Sequence, residues 1–572
     1  MKSDVRISQD AHLRPIGEIA ERAGLLEDEV ECYGSYKAKV RLEVFDRLKE
    51  KKPGKLLLVS AITPTPAGEG KTTMSIALGQ ALGALRKNVA IAIREPSLGP
   101  LFGVKGGATG GGYSQVVPME EINLHFTGDL HAVGAAHNLI AAMLDNHIHQ
   151  WNHLGIDPRR VTWRRVMDLN DRSLRKVILG LGGRTEGIPR ETGFDITAAS
   201  EIMAILCLAE GIADLKERLA KILVGYTFDG TPVTAGDLKA SGAAAVMLRD
   251  AIRPNLVQTL EGVPTFVHGG PFANIAHGCN SVLATRLANR LSDYTITEAG
   301  FGFDLGAEKF FDIKCRYGGL SPSGVVLVAT ARALKVHGGV SLYKLKVPNP
   351  KAVTAGMCNL VRHVENVNKF GVPVVVAINR FTHDTKAEIN TILDGCRDLG
   401  VEAAVSEGWS RGGEGGLELA EKVVSMADGF EGEYRPLYNW KTTVKHKIKT
   451  IAREIYGAAD VEYSKKALRH LAQIDDLGYT HLPICMAKTP KSLSDNPAKT
   501  GCPRNFTITV REIRIALSSR RSAGSRSASW PWSAACTAQI SSIVTSLTNC
   551  KRGSRPATAV MFWQTRSRRS RS

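Results

Sequence analysis

Residues 55–72 have the sequence KLLLVSAITPTPAGEGKT, and the order of elements in this stretch indicates the fold class. The mostly apolar first part predicts a buried β-strand at 55–62. A loop of small residues follows, and an amphipathic helix is predicted at 72–85. A strand, a glycine-rich loop and a helix in this order predict the nucleotide-binding unit of an α/β protein.

The loop has the residue types of a phosphate-binding loop, Thr65-Pro66-Ala67-Gly68-Glu69-Gly70-Lys71-Thr72. Such a loop needs small residues so that backbone N–H groups can face phosphate oxygens, a lysine for the outer phosphates and a hydroxyl for Mg²⁺. Thr65 stands where the usual pattern has its first glycine. We expect ATP or another nucleoside triphosphate as cofactor, with Thr72 binding its Mg²⁺. The alternative is a chance glycine turn before a helix.

Strands and helices are predicted to alternate through the rest of the chain up to residue 515. Further strands are predicted at 88–93, 176–181, 264–267, 325–330, 373–379 and 506–515, and one long apolar helix at 198–220. This alternation predicts the α/β class. We expect a phosphate-loop nucleotide-binding domain with a mostly parallel sheet, and two smaller α/β domains.

Several polar segments follow predicted strands, where parallel sheets bind ligands. Arg94 and Glu95 come directly after strand 88–93, and an arginine there can hold a phosphate or a carboxylate by two hydrogen bonds. Residues 103–113 include six glycines and form either part of a site or a surface linker. The loop at 268–277 is a second candidate site loop. Asp304 either binds Mg²⁺ through water or caps a helix.

Composition excludes several classes of protein. The chain has 572 residues with 43% apolar and 23% charged residues, typical of a soluble protein of several domains. No apolar run approaches the length of a membrane span, and the first residues lack the pattern of a signal peptide, so we expect a cytoplasmic protein. The ten cysteines include no CxxC pair, which favours reduced thiols.

Residues 516–572 differ from the rest in charge and composition. They hold nine arginines, one lysine, 14 serines and no acidic residue, so they carry ten of the 18 net positive charges. We expect that the reading frame is lost near Ile515, that the tail is disordered, and that strand 506–515 lacks a neighbour on one side. A natural disordered basic tail and a nucleic-acid-binding arm are the alternatives.

Six blocks of the sequence, in order, resemble the formate tetrahydrofolate ligase family, also called formyltetrahydrofolate synthetase. They are TPTPAGEGKTT at 63–73, REPSLGP at 94–100, KGGATGGGY at 105–113, HGGPFANIAHGCN at 268–280, VATARALKVHGG at 328–339 and AINRF at 377–381. The resemblance covers about residues 10–515. A loop with Thr65 in place of the first glycine is typical of this family.

The resemblance implies ATP-dependent ligation of formate to tetrahydrofolate through formyl phosphate. Lys71, Arg94, Glu95 and Asp129 would be the catalytic residues. Arg94 would hold formyl phosphate, with Glu95 and Asp129 as its polar neighbours. Phe381 and Trp409 would stack on the pterin ring. The family also implies MgATP, a monovalent cation (K⁺ or NH₄⁺) and a homotetramer. We expect formate and tetrahydrofolate, with or without a polyglutamate chain, as partners, and neither nucleic acid nor membrane.

Boundaries between domains are faint in the sequence, and the proline-rich stretch at 346–351 and the glycine-rich stretch at 411–416 are the best candidates. We expect an ATP-binding and formyl phosphate domain at 1–355, a folate-contacting α/β domain at 356–455, a truncated C-terminal domain at 456–515 and the aberrant tail at 516–572. Two other functions are kept as alternatives: a phosphate-loop ATPase of the partitioning or metal-insertion type, and a nucleic-acid-binding protein that acts through the tail.

Overall fold

The computed structural model describes residues 2–66, 68–103, 107–273, 276–516 and 535–540, the last stretch as backbone only. Its β-strands are β1 (Val30–Cys32), β2 (Ala38–Val40), β3 (Lys55–Ala61), β4 (Val89–Ile93), β5 (Gly110–Gly111), β6 (Ser114–Val117), β7 (Arg165–Met167), β8 (Val177–Leu179), β9 (Arg190–Thr192), β10 (Phe194–Ile196), β11 (Leu223–Tyr226), β12 (Pro232–Thr234), β13 (Asn255–Thr259), β14 (Pro264–Val267), β15 (Tyr294–Glu298), β16 (Pro322–Ala329), β17 (Val374–Asn379), β18 (Ala403–Ser406), β19 (Asp460–Tyr463), β20 (Ile484–Ala487), β21 (Thr507–Ala516) and β22 (Ala535–Ile540).

The α-helices are α1 (Asp4–Gln9), α2 (Ile16–Arg22), α3 (Val44–Arg47), α4 (Lys71–Ala84), α5 (Leu98–Leu101), α6 (Met119–Asn123), α7 (Asp129–Gln150), α8 (Glu201–Leu208), α9 (Ile212–Ala220), α10 (Ser241–Met247), α11 (Val282–Leu291), α12 (Arg316–Gly318), α13 (Ala331–His337), α14 (Pro350–Lys369), α15 (Lys386–Asp398), α16 (Gly408–Arg411), α17 (Leu417–Asp428), α18 (Val444–Ile451) and α19 (Lys465–Asp476). Wider π-helical turns occur at Phe303–Ala307, Phe310–Cys315 and Ala452–Tyr456. Short 3₁₀ turns occur at Glu27–Glu29, Pro158–Arg160, Ser173–Arg175, Thr197–Ala199, Leu342–Lys344 and Glu414–Gly416.

A large, mainly parallel sheet lies at the centre of the chain. Seven strands pair in parallel in the order β14-β4-β15-β3-β16-β17-β18. Antiparallel pairing of β13 to β14 and of β2 and β6 to β13 extends one side. The predicted α/β class with a mostly parallel sheet is confirmed.

Strand β3 is apolar from Leu56 to Ala61 except for the buried Ser60, because both faces of the sheet are covered. Leu57 and Val59 belong to a core cluster that includes Ile76 of α4. Leu56 faces the opposite side, in a cluster with Phe311. The four aliphatic side chains among these residues are fully buried. Burial of each contributes about 1.5–3 kcal/mol to the stability of the fold.

Helix α4 was predicted as amphipathic, and this prediction is wrong although the helix itself is confirmed. Every residue from 74 to 82 is buried. The reason is that α4 packs on the sheet on one side and against α17 and β6 on the other. A helix covered on both sides has no solvent face that needs polar residues.

Two predicted elements differ in the structure. The helix predicted at 198–220 is two helices, α8 and α9, because the backbone is extended at Ala209. The Asp214 carboxylate accepts a hydrogen bond from the Glu210 N–H at 3.0 Å, and this bond stabilises the start of α9. The strand predicted at 176–181 is shorter, and β8 pairs with β9 in a separate hairpin instead of joining the central sheet.

The C-terminal sheet corrects one expectation about the tail. Its order is β19-β21-β22-β20, so β21 has a neighbour on each side. The prediction that strand 506–515 lacks one neighbour is therefore wrong: the backbone of 535–540 pairs with both β21 and β20 and satisfies groups that would otherwise form open edges. The other tail residues from 517 onward lie outside the described residues.

The domain boundaries stay a prediction. The boundary expected at 355/356 falls within α14, and β17 and β18, which we assigned to a folate-contacting domain, belong to the central sheet. In the described part of the chain, none of the helices is both long and apolar enough to cross a membrane.

Candidate active site

The carboxyl ends of the parallel strands bring most of the predicted site residues to one edge of the sheet. The phosphate loop follows β3, Arg94 and Glu95 follow β4, Phe381 follows β17, and Trp409 lies just beyond β18. Residues far apart in sequence thus surround a common region.

Two glycines shape the phosphate loop. Gly68 and Gly70 have φ angles of 76° and 74°, in the left-handed region that favours glycine. Gly70 immediately precedes α4, and a Cβ at this position would lie 2.5 Å from Nδ2 of Asn379. Ala67, which we also assigned to this loop, lies outside the described residues. The loop therefore leads into a helix N-terminus, the geometry that binds phosphate.

Glu69 points inward and holds the loop together. Its Oε1 accepts hydrogen bonds from the Thr65 N–H and hydroxyl, both at 2.7 Å. Its Oε2 accepts from the Thr330 hydroxyl, and its carbonyl accepts from Asn379 Nδ2 at 3.0 Å. Glu69 is fully buried. The threonine in place of the first glycine thus supplies two donors for a carboxylate of the same loop.

Glu298, the last residue of β15, connects the phosphate loop to Arg94. The Thr72 hydroxyl donates to Glu298 Oε2 at 2.8 Å, and an Arg94 guanidinium nitrogen lies 3.6 Å from Oε1. The Glu298 side chain is 2% exposed, whereas that of Arg94 is 26% exposed. One buried carboxylate therefore lies between the predicted Mg²⁺-binding hydroxyl and the arginine predicted to bind formyl phosphate.

Lys71 begins α4 and has a perturbed ammonium group. Burial lowers the pKa of Lys71 below its ordinary value, Glu298 opposes this shift, and the positive charge of Arg94 adds to it. A bound triphosphate would supply the negative charge that favours the ammonium form. Lys71 and Arg94 thus create a positive region that suits a polyanion.

Glu95 and Asp129 lie in a buried polar group on the Arg94 side. Both Asp129 oxygens have partners at 2.8 Å: Lys39 Nζ donates to Oδ1 and Asn255 Nδ2 donates to Oδ2. Burial and the nearby Asp129 carboxylate raise the pKa of Glu95 well above its ordinary value. Oε2 of Glu95 is buried without a hydrogen-bond partner among the described residues.

The loop at 268–277 contacts this group. The Gly269 carbonyl accepts a hydrogen bond from the Glu95 N–H at 2.9 Å. His268 donates from Nε2 to the Ala251 carbonyl at 2.7 Å, and burial lowers its pKa to about 4. Burial lowers the pKa of His277 to about 3, with Lys314 adding to the shift. Both histidines are therefore neutral near pH 7.

The predicted folate residues lie just beyond two neighbouring strands, Phe381 in the loop after β17 and Trp409 in the short helix α16 after β18. Phe381 donates its N–H to Asp384 Oδ2 at 2.8 Å, and its ring lies 3.9 Å beneath the Arg332 guanidinium. Trp409 is 36% exposed, and its carbonyl accepts from the Tyr113 N–H at 2.9 Å. A side chain at Gly112 would overlap the Trp409 carbonyl oxygen, so part of the glycine-rich segment packs tightly here. Lys105 of that segment lies outside the described residues.

Asp304, the tentative Mg²⁺ ligand, has a different partner. Lys488 Nζ donates to Asp304 Oδ2 at 2.6 Å, and both side chains are fully buried. Asp304 lies in the first turn of Phe303–Ala307. Among the described residues, no cluster of three or more His, Cys, Asp or Glu residues has the arrangement of a metal site.

Sequence reasoning missed several residues of this edge, namely Lys39, Glu298, Thr330, Arg332 and Asn379. It placed Glu69 in the phosphate loop but did not predict the buried contacts of its carboxylate. Glu298 ends β15, a segment YTITE that we did not predict as a strand although tyrosine, threonine and isoleucine favour β structure. A charged residue at the carboxyl end of a strand was the signal that identified Arg94. Arg332 and Asn379 lie within two of the blocks that carried the resemblance, which gave them no role.

The family comparison is consistent with this arrangement. The profile described as formate--tetrahydrofolate ligase matches residues 2–520, nearly the whole chain. The resemblance stated from the six sequence blocks is confirmed, and the match favours a ligase over the two alternatives. The chain belongs to the formate--tetrahydrofolate ligase family, whose members are ATP-dependent ligases.

Proposed function

We propose that this chain uses ATP to join formate to tetrahydrofolate at the carboxyl edge of the central sheet. Formyl phosphate is the intermediate, and the products are 10-formyltetrahydrofolate, ADP and phosphate. The observation that best supports this proposal is the position of Glu298 between Thr72 and Arg94. Through this carboxylate, the nucleotide-binding loop and the arginine that would bind formate lie next to each other.

In the first step, a formate oxygen attacks the γ-phosphorus of ATP, and the bond to the leaving ADP breaks. Lys71 and the N–H groups at the start of α4 stabilise the charge on the transferred phosphoryl group. The Arg94 guanidinium orients the formate carboxylate and then holds formyl phosphate. Positioning and electrostatics supply most of the catalysis in such a transfer.

The Thr72 hydroxyl and the Glu298 carboxylate fit Mg²⁺ because both are oxygen donors at the phosphate loop. Mg²⁺ would neutralise charge on the triphosphate during the transfer. We propose these two residues ahead of Asp304, whose carboxylate is ion-paired with Lys488.

In the second step, N10 of tetrahydrofolate attacks the formyl carbon and phosphate leaves. Phe381 and Trp409 hold the pterin by stacking on its faces. This role rests on the family resemblance and on the position of both residues just beyond the paired strands β17 and β18. It requires the ring of Trp409 to be accessible, and 36% of that residue is exposed.

A monovalent cation fits the polar group near Arg94. Glu95 has a buried oxygen without a partner among the described residues, next to the Asp129 carboxylate. K⁺ or NH₄⁺ there would favour the ionised form of Glu95. We therefore assign Glu95 and Asp129 to the support of the Arg94 side of the site.

The proposal is tested with purified full-length chain, ATP, formate and tetrahydrofolate. ADP should form at one equivalent per 10-formyltetrahydrofolate and should require both formate and tetrahydrofolate for sustained turnover. ADP formation that is independent of formate would contradict the proposal and would favour a simple ATPase.

Two further points rest on the family and on chemistry. We propose a homotetramer, which sedimentation velocity would test. We also propose a cytoplasmic location, in accord with the eight cysteines whose side chains the structure describes, all of which are free thiols.

A further inference from the structure

Arg332 contacts both halves of the proposed site. It lies in the first turn of α13, behind the phosphate loop. One guanidinium nitrogen donates to the Gly68 carbonyl, and Nε lies 3.7 Å from Glu69 Oε2. The centre of the same guanidinium lies 3.9 Å over the centroid of the Phe381 ring.

The bond to Gly68 bears on nucleotide binding. In a trans peptide, the carbonyl and the next N–H point in opposite directions. Because Arg332 holds the Gly68 carbonyl on its own side, the N–H of Glu69 is directed to the opposite side of that peptide. A nucleotide whose phosphates accept hydrogen bonds from the loop favours one orientation of these peptides. Arg332 therefore stabilises a particular shape of the nucleotide-binding loop.

The contact with Phe381 bears on folate binding. A planar guanidinium that lies on an aromatic face favours one orientation of the ring. The Phe381 backbone is held by a hydrogen bond to Asp384, and the Arg332 guanidinium covers one face of the ring. With one ring face covered by Arg332, the other remains for a flat ligand.

We infer that Arg332 is a positioning residue that couples occupancy of the nucleotide site to occupancy of the folate site. This inference rests on the proposed function, because it takes Phe381 as a folate contact. A nucleotide that orders the loop fixes Arg332, and Arg332 then fixes the ring that the pterin contacts. The coupling is reciprocal, since each ligand must strengthen the binding of the other by the same factor.

Glu69 and Thr330 restrict movement between the phosphate loop and the start of α13. The Thr330 hydroxyl caps α13 by accepting from the Ala333 N–H at 3.1 Å, and it donates to the Glu69 carboxylate. The start of α13 and the phosphate loop are therefore joined by a second set of hydrogen bonds beside Arg332. Displacement of the loop would move the helix turn that carries the guanidinium.

The test measures the dissociation constant of tetrahydrofolate with and without a saturating non-hydrolysable ATP analogue. For the wild type, we expect binding about fivefold tighter or more with the analogue. In Arg332→Met, each ligand should still bind, but the ratio should fall to about one. Arg332→Lys keeps the charge beside Glu69 but loses the planar stack, so its ratio should lie between the two.

Arg380→Met is the matched control. Arg380 is the neighbour of Phe381, is 41% exposed, and donates to Glu407 at 2.6 Å instead of contacting the phosphate loop. This variant should retain the wild-type ratio. Thermal unfolding followed by circular dichroism identifies any variant that does not fold, and if Arg332→Met is unstable, the lowered ratio in Arg332→Lys decides.

Two results would overturn the coupling alone: a wild-type ratio of one, or an unchanged ratio in the folded Arg332 variants while both ligands bind. A wild type that binds no tetrahydrofolate under either condition would instead overturn the proposed function, and the coupling with it.

Discussion

Glu298 accepts a hydrogen bond from the Thr72 hydroxyl, with 2.8 Å between Glu298 Oε2 and Thr72 Oγ1. The register of the sheet creates this contact, because β15 pairs with β3 and Glu298 lies beside Val59. The end of β15 is thereby directed at the helix that begins after β3. The same carboxylate also faces Arg94, which follows β4, the other strand that pairs with β15. The order of strands therefore places the phosphate loop and Arg94 next to each other.

Replacement of Glu298 tests its role in metal binding. Glu298→Gln can keep a hydrogen bond to Thr72 but removes the negative charge, so the Mg²⁺ concentration for half-maximal rate should rise, and kcat should fall about tenfold or more. Titration of the steady-state rate with Mg²⁺ provides the measurement. Glu418→Gln, on the exposed face of α17, is the control and should match the wild type. An unchanged Mg²⁺ requirement in Glu298→Gln would remove this residue from the metal site.

The shifted pKa of Lys71 predicts a pH dependence of nucleotide binding. Because burial lowers this pKa, the ammonium of the free protein is lost at a lower pH than that of an ordinary lysine, so ATP binding should weaken as pH rises through the lowered value. Dissociation constants of ATP across the alkaline range provide the measurement. In Lys71→Arg, binding should stay nearly constant over the same range, since arginine remains charged.

Loss of the Lys71 side chain should impair phosphoryl transfer as well. Lys71→Ala removes a positive charge that acts on the transition state, a loss of about 2–4 kcal/mol. A formate-dependent rate equal to that of the wild type would contradict the assignment of the phosphate loop.

Variants of Trp409 and Trp440 distinguish a residue that contacts folate from one that only supports the fold. Trp409→Ala should raise the KM for tetrahydrofolate through lost stacking of about 0.5–1.5 kcal/mol, with little change in the KM for ATP. Trp440 packs under Arg316, with 4.1 Å from the guanidinium to the ring, and Trp440→Ala is the control. It should affect both KM values equally or neither. An equal rise in both values for Trp409→Ala would mean that Trp409 only supports the fold.

The sequence was informative where a single local segment determines the outcome. The apolar run of β3, the glycines of the loop and the helix that follows are adjacent in the chain, so the nucleotide-binding unit was predictable. The charged pair Arg94 and Glu95 was found because it follows a strand directly. These signals depend on neighbours within a few residues.

The role of Glu69 was not predictable in the same way. A glutamate in a glycine-rich loop usually faces water, and its burial depends on Thr330 and Arg332, which are distant in sequence. Likewise, the charge of Asp129 is neutralised by Lys39, which lies 90 residues earlier in the chain. Single-sequence patterns do not carry such long-range pairing.

Arg94 provides a prediction that distinguishes the two halves of the site. Arg94→Gln removes the bidentate hydrogen bonds to formate or formyl phosphate, while Lys71 and the N–H groups of the phosphate loop are unchanged. The dissociation constant of ATP should change little, and the rate of formyl transfer should fall. Equilibrium binding of ATP and single-turnover kinetics would measure the two effects. A large loss of ATP affinity with an unaltered transfer rate would place Arg94 on the nucleotide side only.

The most direct measurement follows the oxygen atoms of formate. If formyl phosphate forms, one formate oxygen becomes the bridge between carbon and phosphorus, and it leaves with phosphate when N10 attacks the carbon. Formate labelled with heavy oxygen should therefore give labelled phosphate in proportion to the 10-formyltetrahydrofolate made, as mass spectrometry of the phosphate would detect. Unlabelled phosphate alongside full product formation would contradict the formyl phosphate route.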